Sequence, residues 1–260
     1  MSQPIFSGDP SKTQIALTFD DGPYDITLKL LDVLRKHNVK ATFFSLGERV
    51  DTLPEITKQV HDEDHLLANH TYSHPHLTQV DDRTVLDELA KTNTAIQKAT
   101  GHTPKYYRPT FGEYNDKVNQ LADTLGLTPI MWSVDTKDWD TPNVDLNSIV
   151  NTLLNEVKNG SIILCHDLPD KDTVNALDIA IPQLKQRGLN FVTVDKIIST
   201  TQPSGRTYTV QPGDDLSKIA EKFYGDGTEQ SWRKIYEANK QLIGPDPSHI
   251  EVGWVLVIPE

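Results

Sequence analysis

Seven short apolar runs, at residues 14–19, 40–45, 65–69, 105–108, 129–134, 161–165 and 190–194, alternate with segments of helical periodicity. Leu30/Leu31/Leu34, Ile56/Val60, Val85/Leu89/Ile96, Val118/Leu121/Leu125 and Ile149/Leu153/Val157 carry the 3.6-residue spacing of helices that bury one face. Such an alternation calls for a parallel sheet covered by helices, and right-handed crossovers curl that sheet toward a barrel. Seven strands are one fewer than the usual eight of a closed barrel. The expected fold class is therefore α/β, a distorted seven-stranded (β/α) barrel.

The rhythm stops near residue 200. A polar stretch rich in Thr, Pro, Ser and Gly, residues 201–206, reads as a linker between a large domain, residues 1–200, and a small one, residues 207–260. The small domain has a strand pattern at 207–210, a Pro212-Gly213-Asp214 turn, helical patterns at 216–223 and 232–239, and a last strand at 253–258. That is a β-α-α-β unit.

Polar residues collect at one end of the predicted strands. The first runs into Asp20-Asp21, the third into His70, the fourth into Arg108, the fifth into Asp135 and the sixth into His166-Asp167. In parallel barrels the loops after the strands converge above a packed interior, and that rim carries the site. Packing alone does not explain five ionisable strand ends on one rim. Two adjacent carboxylates at a buried strand end are costly unless a cation or Arg108 neutralises them. His70-Thr71-Tyr72-Ser73-His74 spaces two imidazoles so that one tight turn brings both to a single metal, and Pro75 keeps His74 out of regular helix. Asp21, His70 and His74 then form a two-histidine, one-carboxylate set with open positions. The set fits catalytic zinc, and the same ligand types also hold non-haem iron.

Charge and cysteine count narrow the classes further. A formal net charge of −12 disfavours nucleic acid and anionic lipid as partners, and no run is long enough for a membrane span. The single cysteine, Cys165, excludes an internal disulfide and reads as a small buried filler. Residues 1–6 show neither a basic nor an apolar signal region, so the chain is expected either to stay inside the cell or to have had an export signal removed.

Taken together, Thr18-Phe19-Asp20-Asp21-Gly22-Pro23, His70-Thr71-Tyr72-Ser73-His74, Arg108-Pro109-Thr110-Phe111-Gly112, Asp135-Thr136-Lys137-Asp138-Trp139 and Leu164-Cys165-His166-Asp167 resemble the five motifs of the polysaccharide deacetylase (NodB-homology) family, carbohydrate esterase family 4. The resemblance spans roughly residues 10–200 and implies a distorted (β/α) barrel. It also implies a role for each matched residue. Asp21, His70 and His74 hold a divalent metal, zinc first and Co2+ or Ni2+ as substitutes. Asp20 is the base, paired with Arg108. His166 is the acid that protonates the departing amine, held by Asp135. The Phe111 N–H donates to the oxyanion, while Trp139 and Leu164 wall the acetyl pocket. Thr110-Phe111 stands where the family more often has Pro-Tyr, which alters substrate contacts and leaves the main-chain donor in place.

The tail, with Tyr208-Thr209-Val210-Gln211-Pro212-Gly213-Asp214-Asp215-Leu216 and Val255-Leu256-Val257-Ile258-Pro259, looks like a LysM module, a type that binds N-acetylglucosamine-containing glycans. The resemblance implies a monomeric N-deacetylase of peptidoglycan or chitin-type polysaccharide, extracellular or cell-wall-associated. The alternatives are an O-acetyl esterase on a polysaccharide such as xylan, and an inactive glycan-binding protein.

Overall fold

The computed structural model describes residues 3–140, 143–169, 171–199 and 205–259. Two compact units divide it, residues 1–199 and residues 200–260. No helix among the described residues is long and apolar enough to cross a membrane.

In the first unit strands and helices alternate as the periodicity demands. β1 (Gln14–Asp20), α1 (Thr27–Lys36), β2 (Thr42–Ser45), α2 (Gly47–Thr52), α3 (Pro54–Asp62), β3 (Leu66–Asn69) and α4 (Asp82–Thr100) come first. They are followed by β4 (Tyr106–Tyr107), α5 (Asp116–Thr124), β5 (Thr128–Pro129), β6 (Val134–Asp135), α6 (Leu146–Glu156), β7 (Ile162–His166), α7 (Thr173–Gln186), β8 (Asn190–Phe191) and α8 (Val194–Ser199). The pairings among these strands are parallel, in the order β5-β4-β3-β2-β1-β7-β6, and β8 pairs with the start of β1. The sheet is a curled half-barrel of the expected α/β kind.

The two-residue period of a strand decides which side chains reach the site. On β1, Ile15, Leu17 and Phe19 pack outward with Leu30, Leu31 and Leu34 of α1 and Leu177, Ile181 and Leu184 of α7. Burial of each is worth about 1.5–3 kcal/mol. Ala16 faces the other way, in a smaller cluster with Phe44, Ala68 and Ile162. Thr18 and Asp20 share the parity of Ala16, so they project into the barrel.

The run at 129–134, expected as one strand, forms two. β5 and β6 lie at opposite edges of the sheet, and residues 130–133 cross between them outside the ladder. The cause is a side chain from elsewhere. The carbonyls of Ile130 and Met131 accept from Arg108 Nε and Nη2 at 3.1 and 3.0 Å. Arg108 is fully buried, and a guanidinium in that position needs acceptors more than a neighbouring strand does. The Ile130 and Met131 amides find Tyr107 and Ile5 carbonyls, both at 2.8 Å.

The second unit pairs β9 (Gly205–Thr209) antiparallel to β10 (Val255–Pro259), around α9 (Leu216–Tyr224), α10 (Glu229–Ala238) and the short α11 (Lys240–Ile243). Its core gathers Val210, Leu216, Ile219, Ile235, Leu256 and Ile258. Asp215 caps α9 through the Lys218 amide at 2.8 Å, and Asn239 ties α10 to β10 by bonds to both Val257 main-chain groups. Of the expected linker, residues 201–204 lie outside the described residues, and Gly205 and Arg206 belong to β9.

Candidate active site

Asp20 ends β1 with its carboxylate buried, and Oδ1 accepts from Arg108 Nη1 at 2.7 Å. The same Nη1 donates to Thr18 Oγ1 at 2.8 Å. Oδ2 lies 3.8 Å from His70 Nε2. Asp21, at φ 76°, turns away from the strand and presents Oδ1 to two imidazoles. His70 Nε2 and His74 Nε2 are each 3.4 Å from that oxygen.

The chain immediately after β3 delivers both histidines. Asn69 Oδ1 accepts the Thr71 amide at 2.8 Å and starts the turn. Glu88, on α4, then takes the Tyr72 and Ser73 amides and the Ser73 hydroxyl, each at 2.8 Å. Thr71 and His74 have positive φ, 69° and 62°. Three bonds to one carboxylate hold the turn in this left-handed geometry, which side chains other than glycine normally resist.

The donor set fits a divalent cation. One ligand atom from each of Asp21, His70 and His74 lies within 4.8 Å of the others. Ligands about 2.1 Å from a tetrahedral cation sit about 3.4 Å apart, the separation found on either side of Asp21. Asp21 Oδ1 is buried without a hydrogen-bond partner, a cost that a cation removes. His70 Nδ1 donates to the Arg108 carbonyl at 2.9 Å, so Nε2 is the nitrogen left for a metal. Burial acts to raise the Asp21 carboxyl, but the two facing imidazoles hold it well below the usual range.

Across the rim, His166 ends β7 beside Asp20 in register. Its orienting carboxylate is Asp138. Asp138 Oδ1 pairs with His166 Nδ1 at 2.8 Å, while Oδ2 accepts the His166 amide at 2.8 Å and the Thr173 hydroxyl at 2.6 Å. Asp135, expected in that position, caps its own turn instead, with Oδ1 accepting the Lys137 amide at 2.8 Å. Lys137 sits at φ 53°, and the reversal it makes carries the second acid of the motif to the histidine. Burial acts to push the His166 imidazole down, yet the Asp138 hydrogen bond and charge raise it to about 9. Nδ1 is engaged, so Nε2 is the ring nitrogen left to act in the site.

The remaining residues frame this centre. Phe111 is held at φ 59°, its amide makes no hydrogen bond among the described residues, and its ring is 54% exposed. The ring meets His74 edge-on at 4.5 Å and stacks on His76 at 3.9 Å. Leu164 is buried on β7 with the parity of His166, and Trp139 is 49% exposed next to Asp138. Cys165 points outward into the core, and burial raises its thiol well above the usual range. Asp167 is buried behind Gly22, takes the Thr27 hydroxyl at 2.6 Å, and is pushed up to about 7 by burial. Sequence reasoning assigned no part to Glu88, Asn69 or Asp167.

A sequence profile of the polysaccharide deacetylase family matches residues 7–130, and that of the LysM domain matches residues 208–259. A Bacillus cereus protein named peptidoglycan-N-acetylglucosamine deacetylase is 41% identical over 201 residues, covering 76% of this chain and 72% of that protein. The chain belongs to the polysaccharide deacetylase family. The Listeria monocytogenes peptidoglycan-N-acetylglucosamine deacetylase PgdA is 39% identical over 196 residues, and this polysaccharide deacetylase matches only 41% of its length. A crystal structure of the Bc1960 peptidoglycan N-acetylglucosamine deacetylase, in complex with an N-hydroxybenzamide, superposes with TM-score 0.73 at 41% identity. The superposition covers 76% of this polysaccharide deacetylase and 94% of that chain.

Proposed function

We propose that this chain is a metal-dependent hydrolase that removes acetyl groups from N-acetylglucosamine residues of peptidoglycan or a chitin-type glycan. The observation that carries the reading is the placement of Asp20 and His166 on one rim, with the Asp21–His70–His74 trio beside Asp20. The trio holds a divalent cation, zinc by the preference of two imidazoles and a carboxylate, with Co2+ or Ni2+ as substitutes. When bound, such a cation supplies Lewis-acid polarisation of the acetyl carbonyl and acidifies water. Support comes also from the N-hydroxy amide bound by the Bc1960 protein, a chelating class of compound.

The protein's own groups do the rest. Asp20, fixed through Oδ1 by Arg108, takes the proton of the attacking water on Oδ2. The free amide of Phe111 donates to the oxyanion as the tetrahedral centre forms. His166, kept cationic by Asp138, gives its Nε2 proton to the nitrogen, which leaves as an amine. Leu164 and Trp139 exclude water from the acetyl methyl. The LysM domain attaches the monomer to the polymer and raises the local substrate concentration without altering the chemistry, which suits a cell-wall or extracellular setting.

The test is acetate release from N-acetylglucosamine oligomers, peptidoglycan and O-acetylated xylan, before and after chelation and zinc restoration. Release from the N-acetylated glycans, lost with chelator and restored with zinc, is expected. Release from xylan alone makes the protein an O-acetyl esterase, and no release from any glycan makes the barrel a binding scaffold.

A further inference from the structure

Arg49 lies at the start of α2, where the chain leaves β2 at the same rim as Asp20 and His166. The Leu46 amide donates to the Gly22 carbonyl at 3.0 Å, Gly47 to Thr71 at 2.9 Å and Glu48 to Tyr72 at 3.1 Å. The first turn of α2 is thereby wedged between the loop that carries Asp21 and the turn that carries His70 and His74. Gly47 permits the approach, since a Cβ there would meet the Tyr72 ring at 2.4 Å. The Arg49 guanidinium lies over the ring of Tyr24, three residues past Asp21, with Cζ 4.2 Å from the centroid.

Among the described residues this guanidinium is unpaired. Its Nε is buried with no hydrogen-bond partner, and no carboxylate or carbonyl among the described residues pairs with the group. Arg35, Arg83, Arg108 and Arg233 all have carboxylate partners, and Arg187 holds the carbonyls of Leu154 and Val157. Acids are not lacking in a chain of net charge −12. Asp51, on the same helix, takes the Tyr72 hydroxyl at 3.1 Å instead.

We propose that Arg49, backed by Tyr24, is a subsite for a carboxylate carried by the glycan beside the sugar being deacetylated, an inference that rests on the N-deacetylase reading above. A planar guanidinium accepts a carboxylate in a two-pronged pair, and an aromatic face behind it fixes the plane and sheds water from one side. Arg108 is committed to Asp20 and His166 to Asp138, so Arg49 is a cation at this rim left to take an anion from the substrate. Peptidoglycan offers carboxylates from two sources: the lactyl ether of muramic acid when no peptide is attached, and the peptide itself when one is. Chitin offers none. Arg49 thus favours the wall polymer over chitin.

The experiment uses the full-length zinc-loaded protein, R49Q and R49K. Four substrates are compared: an N-acetylglucosamine tetramer, a GlcNAc–MurNAc tetrasaccharide with free lactyl carboxylates, its lactyl methyl ester, and the same glycan bearing stem peptide. R49Q is expected to raise KM about tenfold on a carboxylate-bearing substrate, with kcat unchanged and no effect on the tetramer or the ester. R49K falls between. The source is whichever carboxylate substrate, free lactyl or stem peptide, shows the rise. Unchanged KM on both overturns the proposal, as does an equal loss on the tetramer, which reduces Arg49 to packing of the rim. Should the wild-type protein release no acetate from any N-acetylated glycan, the N-deacetylase reading fails. Calorimetric binding of the free-lactyl tetrasaccharide and its ester to wild type and R49Q then decides the subsite, and equal affinities refute it.

Discussion

Replacing Asp138 with Asn separates the two acids of the Asp135–Asp138 turn and tests what the His166 contacts imply. Asp138 supplies the largest opposition to the burial of His166, and the imidazole is raised from 6.5 to about 9. Asparagine keeps the shape and removes the charge, so burial offsets what Asp20 and Asp21 still add and the group returns to about its ordinary 6.5. At pH 8 the protonated share drops from about 90% to about 3%, a loss of about thirtyfold in an acid-dependent kcat. At pH 6 it drops only from nearly complete to about three-quarters, less than twofold. The alkaline limb of kcat therefore moves down by about two and a half units, and its movement distinguishes lost acidity from a general distortion. Acetate release from a soluble N-acetylglucosamine oligomer between pH 5 and 10 measures it, and the His166 ring resonances give the ionisation directly. The linked stability has the same sign: a raised histidine stabilises fully below about pH 6.5 and loses that contribution as the pH rises through about 9. The thermal margin of wild type over D138N narrows across that range. An unmoved alkaline limb in D138N, or a moved one in D135N, refutes the assignment.

Glu88→Ala removes the carboxylate that holds the histidine turn, and zinc affinity, read by competition with a chelating dye, should weaken about 10–100-fold while the fold persists. Gly22→Ala places a Cβ 2.1 Å from Asp167 Oδ2, which is itself held by Thr27. It should cost about 1–3 kcal/mol in urea unfolding, and an unchanged midpoint contradicts the packing described. Deleting residues 205–260 should spare turnover of soluble oligomers and depress action on insoluble polymer, and an unchanged ratio of the two activities rules out attachment as the tail's role.

Much of this was legible in the sequence because it depends on local period and on strand ends. Hydrophobic spacing reads directly as parallel strands and covering helices, and period two puts Thr18 and Asp20 on the inner face of β1. The convergence of Asp21, His70 and His74 is readable because Pro75 and a four-residue spacing demand a turn. What was not legible depends on contacts distant in sequence. Residues 129–134 look like one strand, and only Arg108, more than twenty residues earlier, draws the Ile130 and Met131 carbonyls out of the ladder. Asp135 and Asp138 differ by three positions in one motif, and the positive φ of Lys137 decides which of them reaches His166. Glu88 sits mid-helix like many surface glutamates, and nothing near it signals that its acceptors serve a turn fifteen residues back. Asn69 could have been found: an Asn two residues before a Thr, at a strand end, is the pattern of a side-chain-capped turn.

Arg108 binds Asp20, fills the break between β5 and β6 with its bonds to Ile130 and Met131, and offers its own carbonyl to His70. Chemistry and architecture thus make unequal claims on the rim as a lineage drifts. On the proposed reading, a descendant relieved of selection for turnover can lose His74 or His166 and keep its barrel, since each of these serves the reaction more than the sheet. It cannot shed Arg108 on the same terms, because the freed carbonyls would be left buried at the seam. In a degenerate copy of this gene the arginine should outlast the reaction, and its persistence would be a record of folding alone.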